Sequence, residues 1–397
     1  MLVEMAWRMW RSHDARLLWR MGVNMGLGSV LAIERFKRRR KRGEHFPPFV
    51  FLSVTNACNL NCQGCWVHKS SPPVAIPPTT LHRVIAESKR MGCRFFGILG
   101  GEPLLYPRLH AVLAAHRDCY FQVFTNGMLL DDDTASAFRR LGNVTPLISI
   151  EGLEQVSDER RGGSDVFRRT IDGLETARRH RLVTGVATSV CASNIDELAT
   201  ESFVRAVMAR GVAYLWYYIY RPVGSDPHPE LCLDVEQVRR LRRFIVEMRT
   251  RVPMMIVDAY WDDRGRGLCP AAVGISHHIS PAGDVEPCPP LQFAADTIGD
   301  GRDFVAVLER SDFLERFRQS VSQRTRGCII LEDPDHLRRL VEDSGARDTS
   351  GRGVGTNELA AMCCRQSHDM PGAEIPERSW FYRLAKRNWF FGFGAYG

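Results

Sequence analysis

The sequence predicts an α/β protein built on a parallel sheet of six consecutive β–α units, followed by a smaller irregular domain. Apolar runs of strand length alternate with helical patterns from about residue 48 to residue 254. Such alternation is typical of parallel sheets, whose crossover connections are helices. Beyond about residue 255 the alternation stops, and Pro, Gly and Cys become frequent. Six units fit an open sheet or a partial barrel, and in a barrel the chemistry lies at the carboxyl ends of the strands.

Each strand is predicted from an apolar run, and each helix from apolar residues at helical spacing. The predicted strands are Phe49–Thr55, Arg94–Leu99, Tyr120–Thr125, Pro146–Ile150, Val183–Cys191 and Val212–Tyr220. The predicted helices are Thr79–Met91, Pro107–Arg117, Asp132–Leu141, Ser164–Arg181, Ile195–Arg210 and Val235–Val252. Thr79 or Thr80 suits the N-cap of the first helix.

Composition restricts the class of protein. The chain has 397 residues, of which 44% are hydrophobic and 25% charged, which excludes a multi-span membrane protein and a largely disordered chain. We divide it into an arm (1–47), a core (48–254), an irregular domain (255–370) and an aromatic, basic tail (371–397).

The positive charge is concentrated in the arm. The net charge is +7, and residues 1–42 hold eleven Lys or Arg against three acidic residues, so the rest of the chain is close to neutral. Apolar and aromatic side chains between the arginines suit an interfacial segment on an anionic membrane surface. Alternatively, the arm and the tail pack on the barrel and cover its open side. We see no secretory signal and expect a cytoplasmic protein, with peripheral contact to the inner face of the membrane under the first interpretation.

Three closely spaced cysteines follow the first strand. Cys58, Cys62 and Cys65 form a C-x3-C-x2-C array, and without export such clustering points to metal or redox chemistry rather than disulfides. Three thiolates can hold three irons of a cubane cluster and leave the fourth iron open, as a catalytic metal site requires. The alternative is a zinc site that His68 completes.

This array after a first strand resembles the signature of the radical S-adenosylmethionine (radical SAM) enzymes, and the resemblance covers roughly residues 48–330. It implies a partial (β/α)6 TIM-type barrel, a [4Fe-4S] cluster and S-adenosyl-L-methionine. One electron, from a reductant such as flavodoxin or ferredoxin, would cleave this cofactor to methionine and a 5′-deoxyadenosyl radical. The radical would then abstract a hydrogen atom from a substrate.

The ends of the next strands resemble the family's cofactor pocket. Gly100, Gly101, Glu102 and Pro103 match the motif for the methionine amino group, because glycines admit close approach and a carboxylate accepts hydrogen bonds from an ammonium. Thr125 and Asn126 end the third strand and are assigned to the same pocket. Without the cysteine loop, each segment would be an ordinary turn.

Two further strand ends complete the predicted pocket. Ser149 and Arg161 match positions that contact the cofactor carboxylate or ribose, and Ser189 could reach the ribose. The alternatives are a surface arginine and satisfied strand-end hydroxyls.

The chain departs from the family pattern at three positions. Glu151 replaces an aspartate, Ser157 replaces a histidine, and Gly64 stands where an aromatic residue often precedes the third cysteine. Trp66 offers a substitute stacking face for the adenine.

Cysteines also mark the irregular domain. Cys269, Gly283 and Cys288 resemble the opening half of the SPASM domain, which holds auxiliary iron–sulfur clusters, but the long cysteine run of that domain is absent. The resemblance supports one auxiliary [4Fe-4S] cluster in a shortened, twitch-like domain, with Cys328 and either Cys363 or Cys364, of which we assign Cys364. Alternatively, Cys328, Cys363 and Cys364 are buried free thiols. The remaining cysteines, Cys93, Cys119, Cys191 and Cys232, are expected to be packed thiols.

Three functions remain in competition. The first is a radical SAM enzyme, the second a non-catalytic iron–sulfur electron-transfer or sensor protein, and the third a zinc-stabilised binding module. The open iron argues against a simple electron carrier, which closes all four irons. The substrate and the catalytic residues that contact it cannot be read from the sequence, and we see no nucleic-acid module.

Overall fold

The computed structural model describes residues 1–299 and 301–388. Seven parallel strands follow each other in chain order: β1 (Phe49–Ser53), β2 (Phe95–Leu99), β3 (Tyr120–Thr125), β4 (Val144–Ser149), β5 (Gly185–Val190), β6 (Tyr214–Ile219) and β7 (Met255–Val257). The six predicted strands are confirmed. β7 was not predicted, because its apolar run is too short to stand out after a long helix.

The helices lie in the arm and between the strands. The arm holds α1 (Leu2–Ser12), α2 (Ala15–Arg20) and α3 (Gly28–Lys41), with a π-helical segment over Met21–Leu27. The crossovers hold α4 (Pro78–Arg90), α5 (Leu109–Ala115), α6 (Asp132–Leu141), α7 (Glu154–Arg161), α8 (Val166–Arg179), α9 (Ile195–Leu198), α10 (Glu201–Ala209) and α11 (Val235–Arg251).

Two predicted crossovers differ from the structure. The helix predicted over Ile195–Arg210 is two helices, because the side chain of Thr200 accepts a hydrogen bond from the backbone N–H of Phe203 and starts α10 as its N-cap. α7 was missed, since its sequence is mainly charged and shows little apolar periodicity.

The carboxyl-terminal part contains short elements, and two of its strands extend the barrel sheet. The elements of this part are α12 (Pro270–Val273), β8 (Ser276–Ile279), β9 (Val285–Glu286), β10 (Phe293–Ala294), α13 (Phe304–Arg310), α14 (Asp312–Arg324), α15 (Ile329–Glu332), α16 (Pro334–Asp343), β11 (Arg347–Asp348), α17 (Gly355–Ala361) and α18 (Trp380–Asn388).

The sheet order shows how the two parts join. β8 pairs in parallel with β1, and β9 pairs antiparallel with β8, giving the order β7-β6-β5-β4-β3-β2-β1-β8-β9. The sheet therefore continues through β7 across the boundary expected at residue 254, and the domain division stays a prediction.

The arm packs across the amino ends of the strands. The guanidinium of Arg8 donates hydrogen bonds to the carbonyls of Pro253, Val212 and Ala213, just before β7 and β6. Arg20 donates to the carbonyl of Leu141 near the start of β4 at 2.7 Å, and Arg39 donates to that of Met91 before β2 at 2.7 Å. Leu141 ends α6 and Met91 caps α4, so Arg20 and Arg39 satisfy carbonyl groups that the ends of these helices leave without partners. The arm thus covers the amino end of the barrel, not its open side as the packing alternative expected.

The tail is held by a buried ionic cluster, which we call the tail network. Its members are Arg242, Arg249, Asp258, Glu377 and Lys386, and each side chain is 0% exposed. Three cations face two carboxylates, so the network joins α11, β7 and α18. Residues 389–397, which include much of the predicted aromatic tail, lie outside the described residues. Among the described residues, no helix is both long and apolar enough to span a bilayer.

Candidate active site

The predicted pocket residues lie at the carboxyl ends of five neighbouring strands. The cysteine loop follows β1, and the two glycines follow β2. Thr125 is the last residue of β3, Ser149 is the last residue of β4, and Ser189 is the last residue but one of β5. Because parallel strands end at one edge of a sheet, the fold brings these segments to the same face of the molecule.

Asn56 fixes the start of the cysteine loop. Its side-chain amide donates to the carbonyl of His68 at 3.1 Å and accepts from the backbone N–H of Val74 at 2.8 Å. The two ends of the loop are thereby tied together, and a turn between Cys62 and Cys65 is closed by a 3.3 Å backbone hydrogen bond. Sequence reasoning missed Asn56, although an asparagine just before such a loop is a common turn-forming residue.

The carboxyl end of α7 holds the loop from the other side. The backbone of Arg160 accepts from the N–H of Gln63 at 3.0 Å, and its guanidinium donates to the Gln63 carbonyl at 3.2 Å. Gly162, at φ +66°, ends this helix where a Cβ would collide with the carbonyl of Asn61. This close approach brings Arg161 to the thiols.

Arg161 links the cysteine loop to the fourth strand end. Its Nη1 lies 3.6 Å from the Sγ of Cys62, and its Nη2 lies 3.5 Å from a carboxylate oxygen of Glu151. Although burial acts to lower the pKa of this guanidinium, the facing Cys62 and Glu151 outweigh it and raise the pKa. Nη2 has no hydrogen-bond partner within the described part of the chain. A buried cation with an unused donor is suited to bind a carboxylate.

The three thiols influence each other. Burial raises the pKa of Cys58, and the charge of Cys62 raises it further. Burial of the sulfur together with the charges of Cys62 and Cys58 raises the pKa of Cys65 to about 12. Three adjacent thiols beside one arginine are costly to ionise unless metal neutralises them, so the donor set fits a metal cluster.

The zinc alternative finds no support in this geometry. Among the described residues, no three His, Cys, Asp or Glu side chains are close enough to hold one metal ion. A four-iron cluster does not require three ligands around one metal ion, because each thiolate binds a separate iron. His68 instead shares a 3.1 Å hydrogen bond with Ser225.

Glu102 joins the second and third strand ends. Its carboxylate accepts hydrogen bonds from the hydroxyl of Thr125 at 2.8 Å, from the N–H of Asn126 at 2.8 Å and from the N–H of Leu104 at 3.0 Å. The side chain is fully buried, and burial raises its pKa against the effect of these bonds. The predicted contact of this carboxylate with an ammonium group stays a prediction, since most of its acceptor capacity is already used.

The glycines before Glu102 are required by the cysteine loop. A Cβ at Gly101 would collide with the carbonyl of Ala57, and one at Gly100 would lie 2.7 Å from the carbonyl of Thr55. Asn126 also contacts the loop, because its amide donates to the side chain of Asn59 at 2.7 Å. The two strand ends predicted from sequence therefore surround the cysteine loop. Pro103 starts the short 3-10 turn that follows.

The missing aromatic at position 64 is explained by Tyr220, which the sequence analysis did not identify. Tyr220 follows β6, and its ring lies against Gly64 so closely that no side chain fits there. Its hydroxyl is buried without a partner in the described residues, and the guanidinium of Arg160 lies 5.2 Å from the ring centroid. Burial raises the pKa of Tyr220 to about 12, so the hydroxyl stays protonated.

The two predicted serines are both partly exposed at their strand ends. The backbone N–H of Ser189 donates to Glu151 at 2.9 Å, which connects the fourth and fifth strand ends. Neither hydroxyl is shown to bind a ligand, and the roles of Ser149 and Ser189 stay predictions.

A cavity of about 160 Å³ lies between the barrel and the carboxyl-terminal part. Trp66 and Gly100 line it from the barrel, and His278 lines it from β8. The Trp66 ring meets that of His278 edge-on, with centroids 5.6 Å apart. The tryptophan therefore faces this cavity, and its contact with adenine stays a prediction.

A buried hydrogen-bonded chain runs along one wall of the cavity. The hydroxyl of Ser53 lies 2.7 Å from Nε2 of His278, and Nδ1 of His278 lies 2.5 Å from the carboxylate of Glu286. Burial raises the pKa of Glu286, although His278 and Thr349 partly oppose this. When Glu286 is ionised, Nδ1 of His278 donates a hydrogen bond to it, and Nε2 of His278 accepts one from the hydroxyl of Ser53. The Ser53 hydroxyl is thereby held beside the cavity. Sequence reasoning missed this chain because its members are far apart in the sequence.

The second group of thiols converges in the carboxyl-terminal part. Burial raises the pKa of Cys269 to about 11, and the charge of Cys328 adds to this effect. Burial and then the charges of Cys269 and Cys328 likewise raise the pKa of Cys288. Arg221 faces Cys328, whose charge outweighs burial and raises the pKa of the guanidinium. The three predicted auxiliary cysteines are thus within electrostatic reach of one another.

The fourth ligand of this group stays a prediction, with Cys364 as the residue assigned from the sequence. Cys232 lies within the influence of Cys328, and burial raises its pKa against the effect of Arg365 and Arg221. Cys363 and Cys364 are exposed, which contradicts the alternative that they are buried thiols. Cys93, Cys119 and Cys191 are buried as predicted, whereas Cys232 is only partly buried.

Comparison with known proteins identifies the family. The model of the radical SAM superfamily matches residues 52–199. The mycofactocin maturase MftC of Mycolicibacterium smegmatis is 28% identical over 315 residues, which are 74% of this chain and 78% of that protein. The sporulation killing factor maturation protein SkfB of Bacillus subtilis is 27% identical over 39% of this chain. The chain spans only 38% of SkfB, 56% of an AdoMet-dependent heme synthase and 65% of a GTP 3′,8-cyclase.

Solved structures show the same fold. Streptococcus suis SuiB bound to its precursor peptide SuiA matches with a TM-score of 0.61 at 16% identity, covering 72% of this chain and 70% of that one. The structure of anSMEcpe with bound AdoMet matches with a TM-score of 0.52 at 15% identity, covering 68% of this chain and 82% of that one. At these identities the likeness concerns the fold. The match of the family model, together with the cysteine loop, assigns residues 52–199 to the radical SAM superfamily.

Proposed function

We propose that the protein is an enzyme that cleaves S-adenosyl-L-methionine reductively and removes a hydrogen atom from a substrate. The observation that carries the proposal is the cysteine loop at the carboxyl end of the barrel, with Arg161 in contact with Cys62 and one donor of its guanidinium unused. When bound, a [4Fe-4S] cluster and the sulfonium cofactor supply one-electron chemistry that generates a 5′-deoxyadenosyl radical.

The residues of the chain have distinct tasks in this proposal. Cys58, Cys62 and Cys65 hold the cluster through three irons. Arg161 holds the cofactor carboxylate, because its Nη1 lies beside Cys62 and its Nη2 has no hydrogen-bond partner among the described residues. Glu102 keeps the strand ends in place rather than offering a free carboxylate, so the backbone carbonyls near Gly100 and Gly101 are the acceptors left for the amino group.

The cavity between the two parts receives the substrate in this proposal. It opens beside Gly100 and Trp66, so a molecule there would be next to the cofactor pocket. Trp66 supplies an apolar wall, and the chain of Ser53, His278 and Glu286 supplies a polar one. The relatives named above act, by their names, on different compounds, so the substrate class is left open.

The second thiol group is proposed to hold one auxiliary [4Fe-4S] cluster. The charge of Cys328 raises the pKa of Cys269 and of Cys288, and Arg221 offsets the charge that thiolates would bring. As in the first loop, closely spaced thiols are costly to ionise unless a metal neutralises them, so they fit a metal cluster. This cluster would relay electrons or anchor the substrate.

The proposed partners are a flavodoxin or ferredoxin as electron donor and, through residues 1–42, a membrane surface. Reductive cleavage needs one electron per turnover, which the chain's own residues cannot supply. A cytoplasmic location, where such donors operate, stays a prediction.

Dithionite-driven formation of 5′-deoxyadenosine tests the proposal. The protein, reconstituted anaerobically with iron and sulfide, should convert S-adenosylmethionine to 5′-deoxyadenosine and methionine. Cys62→Ala should abolish this activity, while the control Cys119→Ala, which removes a buried thiol at the opposite end of β3, should retain it. A brown, iron-loaded wild-type protein that forms no 5′-deoxyadenosine would instead support the electron-transfer or sensor function.

A further inference from the structure

We infer that the arm and α18 form a surface that binds an anionic lipid bilayer, with the amino end of the barrel towards the lipid and the candidate active site facing away. We call this surface the basal face and define it as the exposed side chains of residues 1–42 and of α18. It is independent of the candidate active site, which lies at the other end of the strands.

Exposed apolar side chains are concentrated on the basal face. The described residues include fifteen large apolar side chains that are exposed, and eleven of them belong to this face. They are Met1, Val3, Trp7, Trp10, Trp19, Val23, Leu27, Val30, Leu31, Trp380 and Leu384. The described residues between 43 and 379 contribute only four, at scattered positions, and single exposed apolar residues of that kind are normal. A concentrated apolar patch marks an interaction surface.

The exposed large apolar residues of α1 lie on one helical stripe. Val3, Trp7 and Trp10 follow the spacing i, i+4, i+7 and are 84%, 60% and 60% exposed. The opposite side of α1 faces the barrel through Arg8 and the buried His13, whose ring bonds the carbonyl of Gly211 at 3.0 Å. Packing on the barrel therefore uses one side of the helix and leaves the tryptophans on the other.

The second half of the arm changes from apolar to basic along one exposed side. Leu27 and Leu31 are exposed near the start of α3, and Arg35 and Arg38 are exposed further along the same side. Arg42 continues this row. α18 lies beside α3, since Lys37 donates to the carbonyl of Arg387 at 2.9 Å, and it exposes Trp380 and Leu384 one turn apart.

The positive charge of the basal face favours an anionic partner. The arm carries eleven cations against three acidic residues. Arg8, Arg20 and Arg39 are used on the barrel, Lys37 pairs with Glu34, and Arg139 pairs with Asp14. An excess of cations, among them Arg38 and Arg42, remains on the exposed side. A second copy of the chain would bring the same positive charge and be repelled. Tryptophan beside dense arginine is the composition of interfacial segments on anionic leaflets.

The fold determines the orientation. The arm contacts the chain just before β2, β4, β6 and β7, whereas the cysteine loop follows β1 at the other end. Strands of five or six residues separate the two ends by roughly 20 Å. A bilayer on the basal face would leave the cavity open to the aqueous phase.

Vesicle co-sedimentation of the full-length protein tests the lipid contact. The protein should sediment with vesicles of phosphatidylglycerol and phosphatidylcholine, not with phosphatidylcholine alone, and added salt should release it. Trp7→Ser with Trp10→Ser should weaken binding roughly tenfold, since apolar burial contributes to interfacial affinity. Arg38→Glu with Arg42→Glu should weaken it by about 25-fold or more, at about fivefold per cation.

Matched controls carry the same chemical changes elsewhere. Leu153→Ser removes an exposed apolar side chain, and Arg108→Glu with Arg169→Glu makes the same change in net charge at exposed positions towards the carboxyl ends of the strands; neither control should alter binding. All variants should keep the circular dichroism and iron content of the wild type. Equal losses in the controls and the basal-face variants would overturn the inference.

Hydrogen–deuterium exchange tests the orientation separately. Anionic vesicles should protect backbone amides of residues 1–42 and leave those of the cysteine loop unchanged. Protection of the loop would contradict the proposed orientation. A wild-type protein that ignores anionic vesicles at low salt would refute the lipid contact. So would a stable dimer that the tryptophan variants dissociate, because a second copy would then cover this face.

Discussion

The two cysteine sites are each built around one arginine, and the two arginines differ in what they have left to bind. Arg161 touches Cys62 and keeps Nη2 without a hydrogen-bond partner in the described residues. Arg221 faces Cys328, but its guanidinium already donates to the carbonyls of Ile219 and Tyr220 at 3.1 and 3.0 Å and contacts His368 at 3.4 Å. The first site is prepared to receive a ligand, whereas the second is closed by the protein.

The sites also differ in how the chain assembles them. The first takes its three thiols from one eight-residue loop, so local structure places them. The second draws on segments around Cys232, Cys269, Cys288 and Cys328, which only the tertiary fold brings together. This difference supports the proposal of a catalytic cluster with an open iron and an auxiliary cluster with a complete ligand set.

The largest expected effect comes from removing the first site. The variant with Cys58, Cys62 and Cys65 all changed to Ala should lose 5′-deoxyadenosine formation entirely. Its iron content should fall from about eight to about four per chain, because only one of two [4Fe-4S] clusters remains. Iron and sulfide analysis measures this directly. Loss of all iron would show that the second site holds no cluster.

The fourth ligand of the second site can then be identified in that triple-alanine background. Because Cys232 interacts with Cys328 and Cys364 is exposed, Cys232→Ala should lose most of the remaining iron. Cys364→Ala is the matched control and should keep it. The reverse pattern would restore Cys364 as the ligand, as we predicted from the sequence.

The unused donor of Arg161 predicts an effect on cofactor affinity. Arg161→Ala should weaken binding of S-adenosylmethionine by about ten- to a hundredfold, since a hydrogen bond to a charged group contributes about 1.5–3 kcal/mol. Arg161→Lys should recover only part of this, because lysine lacks the planar fork. Equilibrium binding to the reconstituted protein measures the change, with the exposed Arg169→Ala as control. Unchanged affinity in Arg161→Ala would remove the carboxylate contact.

The smallest effect concerns the tail network, which supports the second site. Asp258 of the network precedes Tyr260, whose ring lies 5.4 Å from the guanidinium of Arg221. Burial lowers the pKa of Lys386 to about 8. An unfolded lysine titrates near 10.4, so between these values the unfolded chain binds more protons and the free energy of unfolding rises with pH. We expect a rise of roughly 2–3 kcal/mol from about pH 8 to about pH 10.

Denaturant unfolding at several pH values measures this rise. The pKa of Tyr382, which burial raises to about 12, places its titration outside this range. Lys386→Met should flatten the profile, whereas Lys41→Met, at an exposed lysine, should not. An unaltered profile in Lys386→Met would show that another group causes the dependence.

The features that could be predicted from the sequence are those formed by one continuous stretch of the chain. Six strands, the cysteine loop, and the glycines beside Glu102 follow from local apolar runs and spacing. The role of Tyr220 did not, because its contact with Gly64 is made between residues more than 150 positions apart. For the same reason Cys232 was expected to be an ordinary packed thiol.

Two elements, α7 and β7, were not predicted because of their own local sequences. α7 has a charged sequence with little periodicity, and β7 has only three residues, so neither gives a clear pattern. The contact of Glu102 with an ammonium group stays a prediction, because the direction in which a buried carboxylate turns depends on donors from Thr125 and Asn126 at the next strand end.

Electron paramagnetic resonance of the reduced protein, with and without S-adenosylmethionine, tests the contrast between the two sites most directly. The wild type should show two overlapping signals, and the cofactor should shift only one of them. The triple-alanine variant should keep one signal that the cofactor leaves unchanged. A single signal in the wild type, or a cofactor-induced shift that survives in the triple-alanine variant, would contradict the assignment of an open site and a closed one.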